Sequence, residues 1–378
     1  METVAWISLA FVFAFGCCIG SFLNVVIYRI PREKSLIMPP SACPSCGKYI
    51  RFYDNIPLFS WLLLGGKCRN CKAPISIRYF IIELLTGLVF IGTFYLFFYS
   101  NFRSGMPDLA DGGWLIYLMT IALLAAFIAA SAIDLELWVI PLSICWFVTI
   151  IGLAGSVLSV FFIDFNQIRQ HFLLPSASAK TAALTFGALV GLIISLTLLF
   201  TGLLKTSYPP KETAEGQEEP QYNHRLEVCK EILFLLPIFI CSFAFLSIIE
   251  KRPDFYDWWV DFSEKPVIAG FFGSLFGYFI GCAIVWLTRI LGTLAFGREA
   301  MGLGDVHLLG AAGTVLGATF VVAVFFIAPF FGLLWAALQT FFKKNRQIPY
   351  GPFLSLGMFV VIILHDWILA YLANMFYY

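Results

Sequence analysis

The chain has 378 residues, of which 60% are hydrophobic and only 12% charged, with a formal net charge of +1. Soluble domains carry about a quarter charged residues, so a water-soluble globular protein is excluded. Repeated apolar runs are each long enough to cross a bilayer, and the alternating pattern of a membrane β-barrel is absent. The expected fold is all-α: a polytopic helical membrane protein with about eight to ten transmembrane segments.

Residues 1–28 lack a basic n-region and read as a first span rather than a cleavable signal. Further spans are predicted at 79–100, 114–133, 141–163, 179–204, 232–250, 267–290 and 353–375. The apolar block 306–342 is too long for one helix and is interrupted by Gly313 and Gly317, which predicts a short helical hairpin. Lys and Arg set the orientation. The loop 29–78 holds nine of the 24, and placing it in the cytoplasm puts 205–230, 289–304 and 343–346 inside as well, for 18 in all. The Glu-, Pro- and Gly-containing stretch 211–220 reads as a flexible loop.

Four of the ten cysteines lie in that basic loop, as Cys43-Pro-Ser-Cys46 and Cys68-Arg-Asn-Cys71. Two knuckles of this spacing suit a closed tetrahedral zinc site with a structural role. A reducing cytoplasm argues against two disulfides; an unmetallated pair of turns and a redox dithiol remain as alternatives. The other six cysteines read as small apolar side chains.

Two lone carboxylates stand at the ends of apolar runs: Asp134 after 114–133, and Asp305 in Gly302-Leu303-Gly304-Asp305 after 267–292. A carboxylate beside hydrocarbon is a functional-site candidate. Both fall on the cytoplasmic side of the favoured topology. Two carboxylates are also the minimum for aspartyl hydrolysis, in which one is ionised while the other carries a proton. Gly302 and Gly304 give freedom of backbone angle and close approach for an extended substrate. Pro349 and Pro352 in Ile348-Pro349-Tyr350-Gly351-Pro352-Phe353 break the start of the last span. Glu136 reads as solvated, and His365 and Asp366 are left without a role.

The segments 20–33 (GSFLNVVIYRIPRE) and 53–79 (YDNIPLFSWLLLGGKCRNCKAPISIRY), the GLGD element and 348–357 (IPYGPFLSLG) together resemble the bacterial type IV prepilin peptidases. The resemblance covers the first ~165 and last ~100 residues, and implies an inner-membrane, multi-pass enzyme with its active site at the cytoplasmic face. Its implied activities are removal of the basic leader from type IV prepilins or type II secretion pseudopilins after a Gly, then N-methylation of the new terminus. Asp134 and Asp305 are the implied catalytic pair. Gly302, Gly304 and Gly351 are the implied substrate contacts. The implied cofactors are structural Zn2+, held by Cys43, Cys46, Cys68 and Cys71, and S-adenosyl-L-methionine. Candidates for the latter are Asn24, Arg29, Asp54, Asn55, Arg78 and Glu83, Glu83 reading equally well as an ion pair that holds the loop to its span.

The implied domains are 1–100, the methyltransferase-associated span, loop and span, and 101–378, the peptidase membrane domain with an insertion at about 165–265. Implied partners are the substrates, the lipid bilayer and pilus or secretion machinery, with no nucleic acid. His307 stands where relatives commonly have Lys, and Leu142 where many have Asp or Asn. Two other readings exist: a presenilin-like intramembrane protease, which shares the GxGD element, and a non-enzymatic transporter or assembly scaffold.

Overall fold

The computed structural model describes residues 2–100, 102–208, 222–342 and 349–376; the predicted loop 211–220 and the basic positions 343–346 lie outside them. Fourteen α-helices are described: α1 Glu2–Arg29, α2 Phe59–Leu63, α3 Ile77–Phe98, α4 Gly113–Leu137, α5 Leu142–Leu158, α6 Phe165–Gln170, α7 Ala179–Phe200, α8 His224–Glu250, α9 Pro253–Ser263, α10 Pro266–Phe296, α11 Leu303–Leu316, α12 Ala318–Phe342, α13 Gly351–Ile363 and α14 His365–Phe376. Among the described residues eight helices are long and apolar enough to cross a membrane, nine if α13 and α14 count as one bent span. Extended structure among them is confined to two isolated bridges in the cysteine loop.

The chain forms two compact units, Met1–Val148 with Phe326–Tyr378, and Thr149–Phe325. In the first, α1 packs along α3, and α4 touches α1, α3 and α13. In the second, α7 pairs with α8, and α10 with α11 and α7. Small residues create these seams, because lipid tails give helices no hydrophobic reason to associate and close van der Waals packing must do it. A Cβ on Gly20 would sit 2.7 Å from the Glu83 Cα, and one on Gly281 2.5 Å from the Leu309 carbonyl oxygen. The spacings Gly16/Gly20, Gly187/Gly191 and Gly277/Gly281 are legible G-x-x-x-G signals that the reading of apolar runs passed over.

Two predicted elements come out differently. The block 306–342 does divide, but at Gly317 alone, whose φ of 84° only glycine adopts readily; Gly313 stays inside α11. At 14 residues α11 is about 21 Å long, short of the ~30 Å hydrocarbon core. The single span expected at 353–375 is α13 and α14, bent by 78°. At the bend His365 Nδ1 meets Asp366 Oδ1 at 2.8 Å, and Asp366 Oδ2 accepts the Ser104 N–H at 2.6 Å. These two residues therefore shape a helix break. Helix α9 has no counterpart among the predicted elements; Trp259 on it is buried against Phe186, Phe245 and Phe272 and donates its indole N–H to Ala179 O at 2.9 Å.

Candidate active site and metal centre

Of the aspartates among the described residues, only Asp134 and Asp305 are buried, at 6% and 8% exposure. Asp134 lies in the last turn of α4, which closes when the N–H of Trp138, in the left-handed region at φ 58°, bonds back to Asp134 O. Its carboxylate faces the start of α13, where Gly351 N–H donates to Oδ2 at 3.0 Å. A helix N-terminus offers N–H groups that have no partner within the helix. Glycine is needed there by space: a Cβ on Gly351 would stand 2.7 Å from Oδ2. One turn away, Ser131 and Ser355 hydroxyls meet at 2.6 Å, and Ser355 Oγ also donates to Gly351 O at 3.0 Å. Gly351, expected as a substrate contact, is thus first a contact of Asp134.

Asp305 sits in the first turn of α11, with Gly302 as the residue that caps it. Gly302 has φ −73°, and Gly304 is not among the positive-φ glycines, so neither uses the unusual backbone angles expected of it. A Cβ on Gly302 would be 3.6 Å from Asp305 Oδ2, an ordinary contact, so packing within the chain does not require glycine there either. His307 is held by Tyr278, whose hydroxyl lies 3.0 Å from Nδ1.

The preceding loop is held by a residue that sequence reasoning missed. Arg289, placed by the sequence in the basic stretch 289–304, lies inside α10 and is 1% exposed. Its Nε bonds Glu231 Oε1 at 3.0 Å and its Nη1 bonds Glu299 Oε1 at 2.6 Å and the Met301 carbonyl. The signal was present, since an Arg in the run Trp286-Leu287-Thr288-Arg289-Ile290-Leu291 is a buried charge in need of partners.

The four loop cysteines converge, with all Sγ atoms within 4.8 Å of one another and those of Cys43 and Cys71 3.8 Å apart. Zn–S bonds of ~2.3 Å in a tetrahedron place sulfurs about 3.8 Å apart, so the cluster fits zinc. Two matching turns build it: Gly47 N–H to Cys43 O at 2.9 Å, and Lys72 N–H to Cys68 O at 3.0 Å. The N–H groups of Cys46 and Ser45 draw the Cys43 thiol down to about 6. At Cys71 the Ala73 N–H pulls down, but burial and the other three sulfurs outweigh it and push the thiol up to about 11. Four sulfurs this close favour a cation among them.

The six residues proposed for S-adenosylmethionine separate. Asn24 and Glu83 are buried at one junction of α1, α3 and the loop: Asn24 Nδ2 donates to Tyr79 O at 3.1 Å, leaving its Oδ1 without a partner, and Glu83 Oε2 accepts the Leu58 N–H at 2.8 Å. Glu83 thus ties the loop to its span through a backbone hydrogen bond, where an ion pair was the alternative. The others are spent or exposed. Arg29 donates to Ser35 O and Pro39 O at 2.8 and 2.6 Å, Asp54 takes a bidentate bond from Arg69, and Asn55 faces solvent. Arg69 holds the Asp54 carboxyl below the usual aspartate range. Arg78 pairs with Glu136, which is therefore not merely solvated. That pair joins the first turn of α3 to the last turn of α4, so the cysteine loop and Asp134 occupy the same end of their unit.

Comparison with known proteins agrees with the motifs. The profile of the bacterial peptidase A24 N-terminal domain matches residues 14–97, and that of the type IV leader peptidase family matches 233–337. Asp305 falls within the second match, and Asp134 between the two. The prepilin leader peptidase/N-methyltransferase of Burkholderia pseudomallei (strain 1026b) is 31% identical over 377 residues, spanning 92% of this chain and 83% of that one. The chain belongs to the prepilin leader peptidase/N-methyltransferase family.

The protein of that name from Myxococcus xanthus is 38% identical over 161 residues, 42% of each chain. The type 4 prepilin-like proteins leader peptide-processing enzyme of Escherichia coli O78:H11 is 26% identical over 92% of this chain and 91% of that one. No solved structure matches. Family membership decides against the presenilin-like and transporter readings.

Proposed function

We propose that Asp134 and Asp305 are the two carboxylates with which this prepilin leader peptidase hydrolyses its substrate, at the cytoplasmic face of a bacterial inner membrane. The observation that carries this reading is that these two alone among the described aspartates are buried, each at a helix end and each beside glycine. One carboxylate, ionised, removes a proton from water as the water oxygen attacks the carbonyl carbon of the Gly before the cleavage point. The other, protonated, donates to the carbonyl oxygen. Collapse of the tetrahedral intermediate breaks the C–N bond: the amine departs with the proton taken from water, and a hydroxyl of the intermediate returns its proton to the second carboxylate as the C=O bond re-forms. Apparent pKa values in such a pair belong to the two groups together. Gly302 and Gly304 leave room for an extended substrate backbone at Asp305.

S-adenosylmethionine, when bound, supplies the methyl group for the new N-terminus. Asn24 and Glu83 fit that cofactor or its acceptor amine best, because a buried carboxylate suits a cationic ligand and the Asn24 Oδ1 has no partner of its own. Residues 1–100 would then form the methyltransferase part and 101–378 the peptidase part. Zn2+ on the four cysteines would fix the loop that carries Leu58 onto Glu83, a structural role that touches no reacting bond. Prepilins or pseudopilins are the proposed substrates.

The test is a pair of single variants, Asp134→Asn and Asp305→Asn, purified in detergent and given a prepilin. Each is expected to leave the substrate mass unchanged while retaining the wild-type unfolding temperature. Normal leader removal by either variant would show that its carboxylate is not required.

A further inference from the structure

Helix α10 ends at Phe296, and α11, which bears Asp305, starts at Leu303. Residues 297–300, 302 and 303 between them are exposed, so apolar packing does not hold this connection. Three hooks do. Gly297 closes α10 with its N–H on Thr293 O at 3.0 Å. Ala300 N–H reaches Thr293 Oγ1 at 3.3 Å, where Gly292 lets the chain lie close: a Cβ there would meet the Ala300 Cβ at 2.7 Å. Arg289 supplies the third and most distal hook, binding Glu299 and the carbonyl of Met301, the residue immediately before Gly302.

Arg289 is itself fixed from behind. Glu231 on α8, 3% exposed, accepts from its Nε and also takes the Trp286 indole N–H at 3.0 Å. The Tyr208 ring covers the guanidinium, with Cζ 5.2 Å from the ring centroid. The planar fork is used in two directions, Nε toward α8 and Nη1 toward the loop, a geometry that the compact ammonium of lysine does not reproduce.

We propose that Arg289, buttressed by Glu231, is a positioning residue that sets the start of α11 and so the placement of Asp305 for leader cleavage. The inference rests on Asp305 being a catalytic carboxylate. It assigns α8 a part in the peptidase site: its Glu231 holds the arginine that holds the loop. Arg289 touches neither substrate nor the reacting atoms and acts through the Met301 carbonyl. Misplacement of a catalytic group by about 1 Å costs on the order of a hundredfold in rate, so a loosened loop is expected to be read in kcat rather than KM.

The experiment compares Arg289→Lys, the double variant Arg289→Met with Glu231→Gln, and Asp305→Asn, all as full-length protein in detergent. The double variant removes the buried charges together, which is commonly tolerated by the fold, whereas removing one partner strands the other; the amide oxygen that Glu231→Gln retains still accepts from the Trp286 indole. The readouts are unfolding temperature, kcat and KM for leader removal, and methylation of a pilin already trimmed. Expected for both Arg289 variants are near-normal unfolding temperature, KM and methylation, with kcat lowered by about ten- to a hundredfold, and no cleavage at all by Asp305→Asn. Wild-type kcat in both Arg289 variants, with Asp305→Asn inactive, overturns the positioning role and leaves the catalytic reading intact. Loss of kcat, methylation and unfolding temperature together in both overturns it in favour of a purely structural arginine. Cleavage by Asp305→Asn overturns the catalytic reading itself.

Discussion

Replacing Gly351 by alanine should separate the stability of this protein from its peptidase activity. The new Cβ would stand 2.7 Å from Asp134 Oδ2 and 3.4 Å from both Asp134 Cγ and Ile140 Cδ1. An ordinary carbon–oxygen contact begins near 3.4 Å, so the carboxylate has to retreat by roughly 0.7 Å. The helices cannot separate easily to make room, because the Ser131–Ser355 contact at 2.6 Å ties α4 to α13 one turn away. The side chain of Asp134 must turn instead, which breaks or lengthens the 3.0 Å bond from Gly351 N–H.

Loss of a hydrogen bond to such a group costs about 1–3 kcal/mol, and alanine returns up to about 1 kcal/mol over glycine in a helix. The net change in stability therefore lies between about zero and 3 kcal/mol by this bookkeeping. The rate should fall even in protein that stays folded, since a shift approaching 1 Å at a catalytic group costs on the order of 10- to 100-fold, or about 1.4–2.7 kcal/mol of barrier. Leader removal from a prepilin, followed by mass with kcat and KM separated, gives the rate. Thermal unfolding in the same detergent gives the stability. If Gly351→Ala cleaves within about twofold of wild type while folded, the contact with Asp134 does not position a catalytic group.

Three further outcomes are expected. Purified protein should contain about one zinc per chain, and the Cys43→Ser/Cys46→Ser double variant should lose it and expose loop 29–78 to protease; metal-free, freshly reduced wild type would rule zinc out. Glu83→Gln and Asn24→Ala should lower methylation of a trimmed pilin more than leader cleavage, and parallel loss of both activities in folded protein would show that the two sites are not separable. Asp54→Asn should act through the loop fold: Arg69 holds the Asp54 carboxyl below its ordinary range, so this ion pair contributes at neutral pH and is lost only as pH falls through the depressed value. Its variant should therefore be more protease-sensitive at neutral pH, and equal digestion rates would argue that the pair contributes nothing.

Composition and the length of the apolar runs determined by themselves that this is a helical membrane protein, because hydrocarbon tolerates few alternatives. The spacing of Cys43, Cys46, Cys68 and Cys71 pointed to a metal-type knuckle pair, and the fold brought the four sulfurs together. The isolation of Asp134 and Asp305 in apolar surroundings marked them without any coordinates. Contacts between segments distant in sequence were not legible in that way. That Gly351 serves the Asp134 carboxylate depends on α13 docking against α4, 217 positions apart. That Asp54 is occupied by Arg69 while Glu83 and Asn24 share a buried junction depends on how the loop folds back over α1 and α3. Arg289 looked like one more charge for counting topology, and only the packing of α8, α10 and the loop before Gly302 made it a buried fork with three acceptors. Local sequence fixes which groups are costly to bury; tertiary packing decides which partners offset that cost.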